Sequence, residues 1–177
     1  RLLDNTLIVF SSDNGGERFS DNSPLFNHKT TLWEGGIRVP AIMRWPAKLP
    51  AGKVVSQPAI TLDLTATFAA VAGAKATEGY PFDGINLLPI LTGEQPEQTR
   101  TFCWRINRSD RKQKAVRHGK WKYVQDGAVE MLFDLSADIN ERRNMFYWHR
   151  EVFDDLKRRL AAWEEEMARH ETSFIVR

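Results

Sequence analysis

The residues best suited to chemistry lie near the start of the chain. Asp13 and Asn14 stand side by side, after the apolar run Leu7-Ile8-Val9-Phe10 and two serines, and just before Gly15-Gly16. A carboxylate and an amide carbonyl are hard oxygen donors of the kind calcium and magnesium select, and the glycines leave the backbone free to turn beside them. Calcium takes about six to eight oxygens, so two adjacent side chains supply only part of a shell. The same tetrapeptide is also ordinary turn chemistry, an Asx turn capping a strand, and both readings stand on these residues alone. A second set is Arg105, Arg108 and Arg111, whose guanidinium groups either recognise an anion or form a solvated basic edge. His118 and His149 have no metal-ligand spacing with one another.

These side chains need elements to hold them. The continuous apolar run before Asp13 predicts a strand buried on both faces of a mostly parallel sheet, and ligand sites in such sheets lie outside the carboxyl ends of the strands. A polar loop over 15–33 follows, then a turn at Glu34-Gly35-Gly36 into a strand from Ile37 to Trp45. Pro40 within that strand predicts an edge position, and Glu34 with Arg38 predicts a structural charge pair. Apolar spacing predicts a helix over 61–72 ended by Gly73, with Leu64, Phe68 and Val71 as its core face. A short helix through Leu87, Leu88 and Leu91 closes at Gly93, and Gln95-Pro96-Glu97 is the expected boundary between domains 1–96 and 97–177.

Beyond that boundary the pattern changes to four short strands, Thr101–Arg105, Lys114–Arg117, Trp121–Val124 and Met131–Asp134, with turn residues at His118-Gly119 and Asp126-Gly127. They predict an antiparallel sheet with one buried face, carrying Trp104, Val116, Trp121 and Phe133 as core. Val152, Phe153, Leu156, Leu160, Trp163 and Met167 recur at helical spacing and predict a terminal helix packed on that sheet. On its outer side Asp154 with Arg158, and Asp155 with Arg159, are expected to pair.

Composition sets the bounds. At 177 residues, with 42% hydrophobic and 27% charged, the chain can bury a sizeable core, and a formal charge of +2 is too small to imply nucleic acid. The sole cysteine, Cys103, excludes an internal disulfide framework, and no apolar run is long enough to span a membrane. The chain opens at Arg1 without Met or signal peptide, which points to a piece of a longer protein.

Several segments together resemble the sulfatase family, the formylglycine-dependent enzymes of the alkaline phosphatase superfamily. Leu7 to Gly16 is similar to the family's strand and metal-binding Asp-Asn-Gly, and Lys29-Thr30-Thr31-Leu32-Trp33-Glu34-Gly35-Gly36-Ile37-Arg38-Val39-Pro40 is similar to its Lys-Gly-Thr-Thr-x-Glu-Gly-Gly-x-Arg-x-Pro segment. Asp83-Gly84 with Leu87-Leu88-Pro89-Ile90-Leu91, and Leu132-Phe133-Asp134-Leu135 with Asp138, Glu141 and Asn144, also resemble family segments. Thr30 departs from the pattern, which often has Gly there.

The resemblance implies an α/β fold, the end of an alkaline-phosphatase-like mixed sheet followed by a small antiparallel sheet packed against a C-terminal helix. It implies that Asp13 and Asn14 are two calcium ligands and that Lys29 contacts the sulfate. His28 and Arg105 are further candidates for binding substrate, a sulfated small molecule or carbohydrate. The Cys/Ser-x-Pro-x-Arg motif that becomes formylglycine does not occur here, nor does the family's early pair of metal-binding aspartates. The chain is therefore expected to be a C-terminal portion, inactive alone, whose partner is the missing N-terminal part of its own domain. By family habit the intact enzyme would be periplasmic or secreted. A phosphate or phosphonate ester hydrolase of the same superfamily, or a non-catalytic binding module, are the alternatives.

Overall fold

The computed structural model describes residues 2–170, which form two compact units: residues 2–13 with 40–98, and residues 14–39 with 99–170.

In the first unit, strand β1 (Ile8–Ser11) pairs antiparallel with β2 (Ala41–Arg44), Val9 opposite Met43. One expectation for this region, the start of the second strand, is corrected. The apolar run forms no parallel pair among the described residues, and Ile8 and Phe10 are 44% and 63% exposed. The second strand begins only after Pro40, because Ile37 is still part of a single helical turn, Glu34–Ile37.

Helix α1 (Thr61–Val71) does end where the sequence says, with Gly73 at a φ of 70° just beyond it. Its buried face, however, is Asp63, Ala66 and Thr67, whereas Phe68 and Val71 stay largely exposed. Polar side chains decide this. The Asp63 carboxylate accepts the Ile60 and Ile85 amides at 2.8 and 2.9 Å, and the Thr67 hydroxyl accepts the Leu87 amide at 3.0 Å. Buried backbone donors need such partners, and apolar spacing does not register them. Helix α2 (Leu88–Thr92) follows and closes at Gly93, φ 93°.

In the second unit, β3 (Thr101–Arg108), β4 (Arg111–His118), β5 (Trp121–Asp126) and β6 (Val129–Asp134) form an antiparallel meander in chain order, followed by helix α3 (Arg150–His170). Both faces of this sheet are covered, not one. Val116, Tyr123 and Leu132 pack with Phe153, Leu156 and Leu160 of α3. Their chain neighbours Ala115, Val124 and Phe133 point the other way and pack with Leu32 and Trp33. The segment around residues 29–37 is thus a strap across the face opposite the helix. Half-buried Trp104 packs on the strap side and half-buried Trp121 on the helix side. Outside α3, Arg159 pairs with Asp155 at 2.7 Å as expected, but Arg158 also turns to Asp155, and Asp154 pairs with Arg150.

The strap is pinned by a buried charge cluster. Lys122, on the same face as Val124, has no exposure; its Nζ lies 2.8 Å from Oε1 of Glu34 and 2.8 Å from Oε1 of Glu141. The Glu34 amide donates to Glu141 Oε2 at 2.6 Å, and Arg38 pairs with Glu34 at 3.1 Å, the structural pair the sequence predicts. Glu141 Oε1 has only the ion-pair contact, off the angle of a hydrogen bond. Burial pushes both carboxyls upward. In Glu34 the Lys122 charge and hydrogen bond, aided by Arg38, outweigh burial and hold the carboxyl below its ordinary range, whereas in Glu141 burial prevails and holds it above.

Lys122→Met leaves two buried carboxylates without their shared cation and should destabilise the fold by about 3–5 kcal/mol at neutral pH, read by urea unfolding. With the lysine gone, burial raises both acids above their unfolded values. A raised acid favours the fold below its unfolded pKa and loses that contribution as pH rises. The deficit should therefore shrink on going to about pH 4, near the ordinary glutamate value; an equal deficit at both pH values would contradict the assignment.

Candidate functional site

Asp13 is the last residue of the first unit and Asn14 the first of the second. The Asp13 carboxylate is exposed. Asn14 is half-buried, and its side-chain amide donates to the Gly15 carbonyl at 3.2 Å, which turns its oxygen to the other side.

From Asn14 onward the backbone is stitched to the strap. The Gly15 amide donates to the Gly36 carbonyl at 2.9 Å, and the Lys29 amide donates to the Gly16 carbonyl at 2.8 Å. These main chains approach so closely that a Cβ on Gly15 would lie 1.8 Å from the Gly35 oxygen, and one on Gly35 would lie 2.4 Å from the Phe26 and Asn27 oxygens. Glycine is required at both positions by the approach of backbone to backbone.

Lys29 is half-buried in this stitched loop, and its ammonium has no ion-pair partner among the described residues. His28 is adjacent, and its Nδ1 lies 2.8 Å from the Lys29 carbonyl. A carbonyl only accepts, so Nδ1 carries the proton, and in the neutral ring Nε2 is then an acceptor. The structure therefore brings Asn14, His28 and Lys29 into one loop system. Arg105 sits apart on β3, exposed and opposite Lys114 in the ladder. Arg111 joins this hairpin to the loop, its Nη1 donating to the Thr30 carbonyl at 2.9 Å.

Other buried polar groups around the loop escape sequence reading. Gln113, 2% exposed, accepts the Leu32 amide through Oε1 at 2.9 Å and donates through Nε2 to Asp126 at 2.7 Å. Strand alternation was the available signal. Gln113, Lys122 and Asp126 fall on the face that carries Ala115 and Val124, where a polar residue needs a partner. Cys103 is no nucleophile, since burial chiefly, with Glu164, pushes its thiol up to about 11. Ser56 has Pro58 at the offset of the formylglycine motif, but Ile60 stands where its arginine belongs. A groove of about 300 Å³ between the sheet and α3 is lined by charges that already pair, Lys114 with Glu164 and Lys157 with Glu130, and it offers no open ligand group of this kind.

Asp13 and Asn14 suit a hard cation by donor type. Among the described residues no group of three or more His, Cys, Asp or Glu that could hold a metal occurs, and two side chains supply only part of the roughly six to eight oxygens calcium takes.

Comparison with known proteins identifies what these features belong to. Residues 1–74 match the family model described as Sulfatase. The chain is 35% identical over 147 residues to choline-sulfatase of Rhizobium meliloti (strain 1021), covering 82% of this chain and 28% of that protein. It is 37% identical over 114 residues to human steryl-sulfatase, covering 59% of this chain and 20% of that protein. The crystal structure of Ps i-CgsB in complex with k-i-k-neocarrahexaose superposes with a TM-score of 0.84 at 36% identity, covering 91% of this chain and 37% of that one. The chain thus spans about a fifth to a third of the length of these curated relatives, and it belongs to the sulfatase family of the alkaline phosphatase superfamily.

Proposed function

We propose that this chain is the C-terminal part of an enzyme that hydrolyses a sulfate ester, and that it supplies a sulfate-contacting cation and two metal ligands while the nucleophile comes from elsewhere in the protein. The observation that carries this reading is Lys29. Among the described residues it is an ammonium without a counter-ion, held in a loop whose backbone is hydrogen-bonded to the Asn14–Gly16 stretch.

Sulfate-ester hydrolysis places negative charge on the sulfuryl oxygens and on the departing alcohol oxygen. A fixed ammonium is a compact point charge that favours such oxygens, most of all in a site shielded from water. Lys29 would contact the sulfuryl group, and His28, whose Nε2 accepts, could take a hydrogen bond from the substrate. Asp13 and Asn14 would hold calcium, which when bound would add its charge to the same electrostatic task. Formylglycine, formed outside this chain, would provide the attacking oxygen. The substrate would be a sulfated small molecule or carbohydrate and the setting periplasmic or secreted, both supported only by the habits of the family. Arg105 remains a candidate for the substrate's outer part.

Lys29→Ala in the complete protein should leave the unfolding free energy within about 0.5 kcal/mol of the parent, since the backbone bonds of the loop are kept. It should lower kcat/KM toward an aryl sulfate by roughly a hundredfold, about 3 kcal/mol of transition-state stabilisation. A fall in melting temperature with turnover preserved would make the lysine structural. Asp13→Ala should likewise cut turnover strongly, and added calcium should restore part of it. Arg108→Ala should cost little, because that side chain is exposed and pairs only loosely with Asp110 at 3.7 Å; equal losses in kcat/KM from both variants would remove Asp13 from the metal site.

A further inference from the structure

Thr30, beside Lys29, has a φ of 68°. In that left-handed region the Cβ of an L residue crowds its own backbone, and a β-branched residue is a rare occupant. Thr30 is exposed, so the packing of its side chain does not hold it there. Grips on either side do. Arg111 and Gln113 lie two apart on β4, on the face that carries Ala115. Arg111 Nη1 donates to the Thr30 carbonyl at 2.9 Å, and Gln113 Oε1 accepts the Leu32 amide at 2.9 Å. The two side chains thus hold backbone groups that are themselves two residues apart, as a ladder strand would.

The orientation of Gln113 is also fixed. The Asp126 carboxylate accepts its Nε2 at 2.7 Å and the Trp33 indole at 3.4 Å, which turns Oε1 toward Leu32. On the other side of Thr30, the Lys29 amide is bound to Gly16 and the Lys29 carbonyl to His28. Strained backbone persists where its surroundings over-determine it, and such places cluster at functional sites.

We propose that Arg111 and Gln113 are positioning residues for Lys29: by holding the Thr30 carbonyl and the Leu32 amide, they maintain the left-handed turn that sets the direction of the lysine. The proposal rests on the reading of Lys29 as the sulfate contact. It assigns two residues of β4 to the reaction without placing either on the substrate. Release of the Arg111 grip lets Thr30 relax toward an ordinary φ, and the Lys29 backbone rotates with it.

The test is a double-mutant cycle on aryl sulfate turnover in the complete protein, together with amide hydrogen exchange. Arg111→Ala should lower kcat/KM at least tenfold, while Lys29→Ala combined with Arg111→Ala should be no worse than Lys29→Ala alone, because a residue acting through the lysine then has nothing to act on. Thr30→Gly removes the side chain that resists the turn and should recover at least threefold of the activity lost in Arg111→Ala. The Leu32 amide should exchange at least ten times faster in Arg111→Ala and in Gln113→Leu, with the amides of α3 unchanged. Additive losses in the Lys29 and Arg111 pair, or no recovery with Thr30→Gly, would overturn the proposal. If Lys29→Ala proves silent, the sulfate-contact reading fails by itself; exchange still decides the clamp, which unchanged protection of Leu32 in both variants would refute.

Discussion

Lys122 is a full positive charge with no exposed surface, and the strap side of the second unit is arranged around it. Desolvating an ammonium costs several kcal/mol, which its two carboxylate partners must offset. Glu34 comes from the strap and Glu141 from the segment after β6, so one cation ties two non-local pieces of chain to the centre of the sheet. Apolar side chains of matched shape in place of all three ions would satisfy the core equally well. What the ions add is register, because only one placement of the Glu34–Ile37 turn delivers both the Glu34 carboxylate to Lys122 and the Glu34 amide to Glu141. Glu141 itself adopts a φ of 52°, a further sign that the cluster constrains the backbone.

From that anchor the constraint runs outward through main chain. Glu34 fixes Gly35 and Gly36, Gly36 receives the Gly15 amide, and Gly16 receives the Lys29 amide. The Gly15–Gly36 link is a backbone hydrogen bond at a separation that a Cβ on Gly15 would forbid, so side-chain identity matters there through its absence. The loop that reads as a long polar connection is therefore rigid at both ends, held by a sheet that begins some seventy residues later. A loop short of its own core can in this way borrow one, and groups carried on it are then held in place by the scaffold.

Much of this was legible in the sequence and some was not. The four-stranded meander follows from alternation and from Gly119 and Gly127, which take the positive φ that tight hairpins demand. The terminal helix follows from a stripe of Phe153, Leu156 and Leu160 that the sheet does bury. The second buried face did not follow, because Leu32 and Trp33 lie in a segment without periodicity and their destination is set by tertiary contacts alone. The face of α1 was misread because Asp63 and Thr67 serve amides outside the helix, a demand that apolar spacing cannot display. The strand before Asp13 forms where the apolar run predicts one, at Ile8–Ser11, and the described residues pair it only with β2. Motif resemblance puts forward Asp13, Asn14 and Lys29, and it does not register Arg111 and Gln113, whose side chains bond backbone groups of Thr30 and Leu32.

Two lysines in the same unit show why residue type alone does not assign a role. Lys122 lies between two carboxylates at 2.8 Å, so its charge is already answered and an entering anion would gain little from it. Lys29 is half-buried and meets no carboxylate among the described residues. Its partial burial weakens solvation without supplying a counter-charge, a condition that an anionic ligand relieves and water relieves only in part. The fold can keep such a charge poised because its stability is drawn elsewhere, from the sheet and the helix packed on it. The unanswered cation is thus the one whose backbone is held by Gly16 and His28, and whose neighbour Thr30 is gripped by Arg111 in a conformation it would not choose for itself.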